Sequence, residues 1–429
     1  MAIQNNFPNL TPTLLLDFAN TNRLDPRITF SRASTATYFN SLGVLTTANN
    51  NVARFDYNPS TLAAQGLLIE EQRTNLLTYS ADFANAAWTK TRSSITSNTI
   101  VAPDGTLTGD KLVEDASASA SHSIRSTGAT ISVGSNTSFS VFAKASERTA
   151  IVLRVNNAAD SIWCAFNLST GTVGTAANSG TGSGATGSII SVGNGWYRCT
   201  VSGVTSTTAA SVQAIIYPAV STTDPTNTSI IYTGDGTSGI FIWGAQLEAG
   251  AFATSYIPTT TTALTRNADV ASMTGTNFSS WYNAAQGTML GEYNVPFALT
   301  SGSNPRIASF LGAGGANVDD LPFFINQVSG KAASFNAFTA SVNAGRIDAS
   351  ASFSANTITK AICAYGTNDR AVTTGGTSPT TSATVYTIPT VNKLDIGSSS
   401  SINFLNGTIR RIAYYPVRLA NTTLQALTA

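Results

Sequence analysis

Charge is scarce in this 429-residue chain: Asp, Glu, Lys and Arg together make up only 10% of it, well below the usual share for a globular protein. The 23 basic and 22 acidic residues leave a formal charge of +1. Such a balance supplies no field for phosphate backbones or anionic lipids, so neither nucleic-acid binding nor membrane insertion is expected. Histidine is reduced to His122, which excludes a His–His metal site and leaves little choice of general base near neutral pH. Cys164, Cys199 and Cys363 cannot build a disulfide framework and form no Cys-x-x-Cys pair, so free thiols are expected. Long apolar runs are missing as well. The start, Met1 to Asp17, has no basic region and an apolar run of only Leu14 to Leu16, so neither a secretory signal nor a spanning helix is expected there.

Hydroxyls fill the gap, since Ser and Thr account for roughly a quarter of the residues. Short runs of Val, Ile, Phe, Tyr and Thr alternate with Gly, Asn, Ser or Pro clusters, which is the pattern of strands and turns. Strands are predicted over Ser138 to Lys144, Ala150 to Val155, Ser161 to Phe166, Trp196 to Val201, Val212 to Pro218 and Ile240 to Leu247. Helical periodicity is confined to single turns at Asp82 to Trp88 and Phe278 to Tyr282, and to a terminal stretch from Leu419 to Leu427. The fold class is therefore all-β: two antiparallel β-sandwiches preceded by an extended N-terminal segment. The threonine-rich stretch Ser255 to Leu264 marks a junction. The expected divisions are 1–77 for the leader, 78–258 for the first sandwich and 259–429 for the second. The glycine-rich stretch Gly171 to Gly187 has no lysine after its glycines and reads as a flexible hairpin or long loop, not a phosphate cradle.

The leader carries arginine without lysine, beside carboxylates. Forked guanidinium–carboxylate pairs fixed in an interface suit that composition, and the candidates are Arg32, Arg54, Asp56, Glu70, Glu71 and Arg73. Elsewhere, Glu248, Glu292, Asp319 and Asp320 are the obvious carboxylates, but no spacing makes two of them a catalytic pair. No catalytic residue and no cofactor is expected; Asp319 and Asp320 are weak calcium candidates, with a plain turn favoured. Aromatic rings offer stacking platforms for sugars. Period-two alternation assigns Trp163 and Trp243 to buried faces, whereas Trp88 and Tyr217 lie at segment edges and are the glycan-binding candidates.

The run Leu15-Leu16-Asp17-Phe18, then Thr29 to Tyr38, Ala53 to Tyr57 and Gly66 to Leu76 resembles a module of tailed-bacteriophage virion proteins such as head spikes, fibres and tail proteins. The segment from Tyr79-Ser80-Ala81-Asp82-Phe83 through Gly195-Trp196-Tyr197-Arg198 to Trp243–Glu248 and Ser255–Thr259 is similar to a carbohydrate-binding-module-type jelly roll. The last part, with Leu405-Asn406-Gly407-Thr408 running into Pro416, resembles concanavalin-like or laminin-G-like sandwiches. These resemblances imply a non-enzymatic structural protein on the virion surface, assembled in the host cytoplasm. It would contact capsid or tail proteins, form a homo-oligomer with a trimer favoured, and adhere to cell-surface glycans. The alternatives are a capsule-polysaccharide depolymerase and a free bacterial lectin or adhesin.

Overall fold

The computed structural model describes residues 10–157, 159–208, 210–298 and 304–429; the first nine residues of the expected leader lie outside them. All named strand pairs are antiparallel, and the all-β expectation is met by two sandwiches.

The middle sandwich stacks two sheets. One orders Ser183–Ser191, Trp196–Val204, Asn136–Ala145, Gly239–Ala249, Gly109–Glu114 and Ser93–Ile100. The other orders Thr172–Ser179, Asp160–Asn167, Ala150–Asn157, Ser211–Ala219, Ser123–Ser126 and Trp88–Thr91, with Ala129–Thr130 beside Ser211–Ala219. Alternation points Phe139, Val141 and Ala143 inward against Ile151, Leu153 and Val155 from the facing sheet. Strand Gly239–Ala249 changes phase midway. Ile240 and Ile242 face the core, Gly244 takes φ +61°, and Ala245 and Leu247 then face inward. This bulge opposes the Ser140 to Phe142 stretch of the partner strand and leaves Trp243 on the outer face. The glycine-rich stretch proves to be a hairpin of two strands, one at an edge of each sheet. Glycine is required at 187, where a Cβ would sit 2.3 Å from Cys164 Sγ.

The second sandwich draws on both ends of the chain. Its eight-stranded sheet runs Thr380–Ser382, Asp369–Thr374, Thr359–Gly366, Gly287–Asn294, Gly407–Tyr415, Ala64–Ile69 and Phe55–Tyr57, with Leu14–Asp17 also on Gly407–Tyr415. The facing sheet begins Thr29–Ser31, Val270–Thr274, Lys393–Ile396, Arg306–Leu311 and continues through Asp320–Asn326, Lys331–Phe335 and Ile347–Asp348. The helix Asn421–Thr428 covers the outer face through Leu424 and Leu427.

Residues 10–77 thus do not stand apart from the sandwiches. One side of strand Gly407–Tyr415 is shared by two leader strands, with Ile409 opposite Leu67 and Tyr414 opposite Leu14. Leu14, Leu16, Phe18, Leu67 and Ile69 belong to the common core. Without these strands that side of Gly407–Tyr415 would be an unpaired edge. Gly66 adopts φ +100° and lies so close to the partner strand that a Cβ would meet the Ile409 carbonyl oxygen at 2.2 Å.

Two features tie the sandwiches together. The hairpin Ala36–Phe39/Leu45–Ala48 packs Leu45 and Phe39 onto the outer face of the six-stranded sheet, against Phe142, Trp196, Trp243 and Tyr256. The two connecting threads, Arg73–Asn75 and Leu264–Arg266, then pair with each other.

Candidate functional site

A buried charge network lies where the threads cross. Asp269 receives Arg32 at 3.0 Å and Arg54 at 2.5 Å. Glu70 receives Arg54 and Arg266, each at 2.8 Å. None of these five side chains is more than 7% exposed. Backbone carbonyls of Ser34, Asn49, Thr37 and Glu71 accept further guanidinium N–H groups. Ser255 donates its N–H and its hydroxyl to Glu70 at 2.7 Å each. Burial alone would raise the Glu70 carboxyl, but Arg266 and Arg54 hold it to about 2. Glu71 pairs with Arg73 at 2.5 Å and accepts from Asn406 Nδ2 at 3.2 Å.

Five of the six leader candidates therefore sit in ion pairs, all within one chain. Asp56 does not. Its carboxylate accepts the Phe39 N–H at 2.8 Å, and burial pushes it up to about 7. Arg266 and Asp269 were missed by sequence reasoning, although they are a charged pair just past an uncharged threonine-rich stretch.

A cleft of about 750 Å³ opens between the leader hairpin and one edge of the middle sandwich. Thr37, Leu45 and Thr47 form the hairpin wall, and Ser97, Asn98, Asp104, Thr108 and Asp110 the facing wall. Trp243 and Tyr256, 4% and 2% exposed, back the cleft as packed rings, and the half-buried Tyr79 completes the rim with Asp82 and the 258–260 segment. The Trp243 indole is fixed by a 3.1 Å bond from Nε1 to Thr108 Oγ1 and packs against the Phe142 and Tyr256 rings, 5.4 and 5.0 Å away. The Tyr256 hydroxyl meets Ser80 Oγ at 2.6 Å. Asp110 is buried, and each of its oxygens accepts a backbone N–H, from Asn98 at 3.0 Å and Phe83 at 3.1 Å. Burial raises this carboxyl against those bonds. Asp104 caps its own turn by accepting from Thr106 N–H and Oγ1, at 2.9 and 2.7 Å. A half-buried ring such as Tyr79, flanked by hydroxyls, amides and carboxylates, can stack a pyranose and fix its orientation.

The two rings singled out as glycan platforms are both committed elsewhere. Trp88 is a core residue, 1% exposed, edge-on to Phe83, with Nε1 bonded to the Tyr79 carbonyl at 3.0 Å. Tyr217, 6% exposed, stacks on Trp163 in an apolar cluster on the outer face of the seven-stranded sheet. Strand-edge position does not make a ring accessible when a neighbouring segment folds over it. Trp243, assigned to a buried face, is indeed buried but by the leader hairpin, and it lines the cleft.

Asp319 accepts the Ala340 N–H at 2.9 Å, while Asp320 is fully buried with Arg306 as a nearby opposite charge. Among the described residues no three His, Cys, Asp or Glu side chains gather as metal ligands. Glu248 is buried and bonded to Thr254, and Glu292 pairs with Arg410 at 3.0 Å.

No family model matches the chain, and no curated protein matches it. Among solved structures it is similar to the carbohydrate-binding module CBM40 of the Ruminococcus gnavus IT-sialidase, at 13% identity and TM-score 0.30, over 36% of this chain and 88% of that one. A SAP-like pentraxin from Limulus polyphemus matches at 12% identity and TM-score 0.27, over 34% and 70%. The LG4-5 domains of mouse laminin alpha1 match at 10% identity and TM-score 0.21, over 66% and 82%.

Proposed function

We propose that this chain is a non-enzymatic glycan-adhering protein of a tailed-phage particle, which holds sugar chains in the cleft between its leader hairpin and its middle sandwich. The observation that carries the adhesion is the cleft itself: the half-buried Tyr79 beside Thr47, Ser97, Asn98 and Thr108, backed by the fixed rings of Trp243 and Tyr256. Rigid rings lose little entropy on binding. Weak single contacts gain avidity when many copies share one particle. The particle setting rests on the leader's resemblance to virion modules, with capsid or tail proteins as neighbours and a trimer as the assembly.

A non-catalytic role is supported by how the cleft carboxyls are used. Asp110, raised by burial, has both oxygens taken by backbone donors, an arrangement that holds a turn rather than delivering a proton to a glycosidic oxygen. Calorimetric titration of the full chain with neutral oligosaccharides tests the adhesion. Saturable binding that weakens about tenfold in Tyr79→Ala is expected, in line with the ~1 kcal/mol of a lost aromatic contact. Heat without saturation overturns the reading, and release of reducing ends would establish the depolymerase instead.

A further inference from the structure

Resting on the glycan reading of the cleft, we infer that its ligands are neutral or amino-bearing sugars and that it rejects sialic and uronic acids. The walls contribute Asp82, Asp104 and Asp110, and among the described residues no lysine, arginine or histidine lines them. The nearby Lys90 is committed: its ammonium donates to the Ala84 and Asn85 carbonyls, each at 2.8 Å. Asp82 Oδ1 accepts the Asn85 N–H and Asp104 Oδ1 accepts from Thr106, so each carboxylate keeps its second oxygen for a donor. Sugar hydroxyls and ammonium groups are donors; a ligand carboxylate is not, and it would enter a space walled by like charge. The hydroxyls of Thr47, Ser97 and Thr108 provide the mixed donor–acceptor edge that neutral sugars need.

The test titrates the full chain with three oligosaccharides of equal length: a glucose oligomer, a glucosamine oligomer and a uronic acid oligomer. At low salt the glucosamine oligomer should bind at least as tightly as the glucose oligomer, and the uronate at least tenfold more weakly. In the double variant Asp82→Asn, Asp104→Asn, whose amide oxygens keep the turn acceptors, the spread between glucosamine and uronate should shrink tenfold or more. Raising the salt should narrow the wild-type spread in the same direction. Binding that ignores ligand charge, or favours the uronate, overturns the inference and leaves the glycan reading intact. Binding of none of the three overturns both.

Discussion

Arg54 and Asp269 lie 215 residues apart in sequence and meet at 2.5 Å, with neither side chain exposed to solvent. Through Asp269 the leader is fastened to the thread that re-enters the second sandwich, and Arg32 and Glu70 extend the fastening to either side. A buried pair of this kind adds little over an apolar replacement, yet it is costly to break from one side. Asp269→Ala leaves Arg32 buried without a carboxylate and Arg54 with Glu70 alone, and should destabilise the fold by about 3–5 kcal/mol. Urea unfolding followed by tryptophan fluorescence measures it, and a loss below 1 kcal/mol would contradict this account.

Removing residues 1–75 should not leave two soluble sandwiches. The second sandwich would lose Leu14, Leu16, Phe18, Leu67 and Ile69 from its core and expose one side of strand Gly407–Tyr415. Aggregation or proteolytic loss of residues 264–429 is expected. The segment 76–262 should survive, because its core runs from Leu77 to Leu247 within itself. Limited proteolysis with mass spectrometry reads both outcomes.

Stability should peak on the acid side of neutrality. Burial raises Asp56 to about 7 and Asp320 to about 6, against an ordinary 3.8. Between about 4 and 7 the folded chain therefore binds more protons than the unfolded one at these sites, and stability falls as pH rises through that window. Glu70 acts oppositely: held to about 2 against an ordinary 4.5, its contribution is complete above 4.5 and disappears as pH falls toward 2. Melting temperature should be highest at about pH 4, where these opposite slopes meet. Asp320→Asn should flatten the alkaline limb and raise the melting temperature at pH 8, whereas a profile unchanged by it would count against the assignment.

Thiol chemistry should be silent in the native protein. Cys164, Cys199 and Cys363 are all buried, and burial pushes the Cys164 thiol up to about 12 and raises the other two as well. An aromatic disulfide reagent at pH 8 should titrate none of them until denaturant is added, and then all three.

The middle sandwich was legible because its strands are runs of β-branched and aromatic residues bounded by Gly, Asn, Ser and Pro clusters: the six predicted from Ser138 to Leu247 all appear, each extended at one or both ends. The leader's strands were not, since Leu14–Asp17 and Phe55–Tyr57 are four and three residues long and gain their pairing only from a partner hundreds of residues away. Period-two reasoning placed Trp163 and Trp243 correctly on buried faces, but it cannot say which layer covers them. That is why Trp88 and Tyr217 looked freer than they are, and why the cleft beside Trp243 was invisible. The arginines of the leader were informative by composition alone, whereas Arg266 and Asp269 needed the crossing of two threads to acquire meaning.

That crossing also sets how the molecule carries load. Leu14 lies opposite Tyr414, and Asp17 opposite Arg411, so a pull applied through residue 13 and residue 416 acts on the same end of an antiparallel pair and opens it one rung at a time. The middle sandwich hangs from Arg73–Asn75 and Leu264–Arg266 side by side, and no tension reaches it until the second sandwich has parted. The middle sandwich is in this way mechanically sheltered from strain along the chain, while the cleft, whose hairpin wall belongs to the leader, opens first.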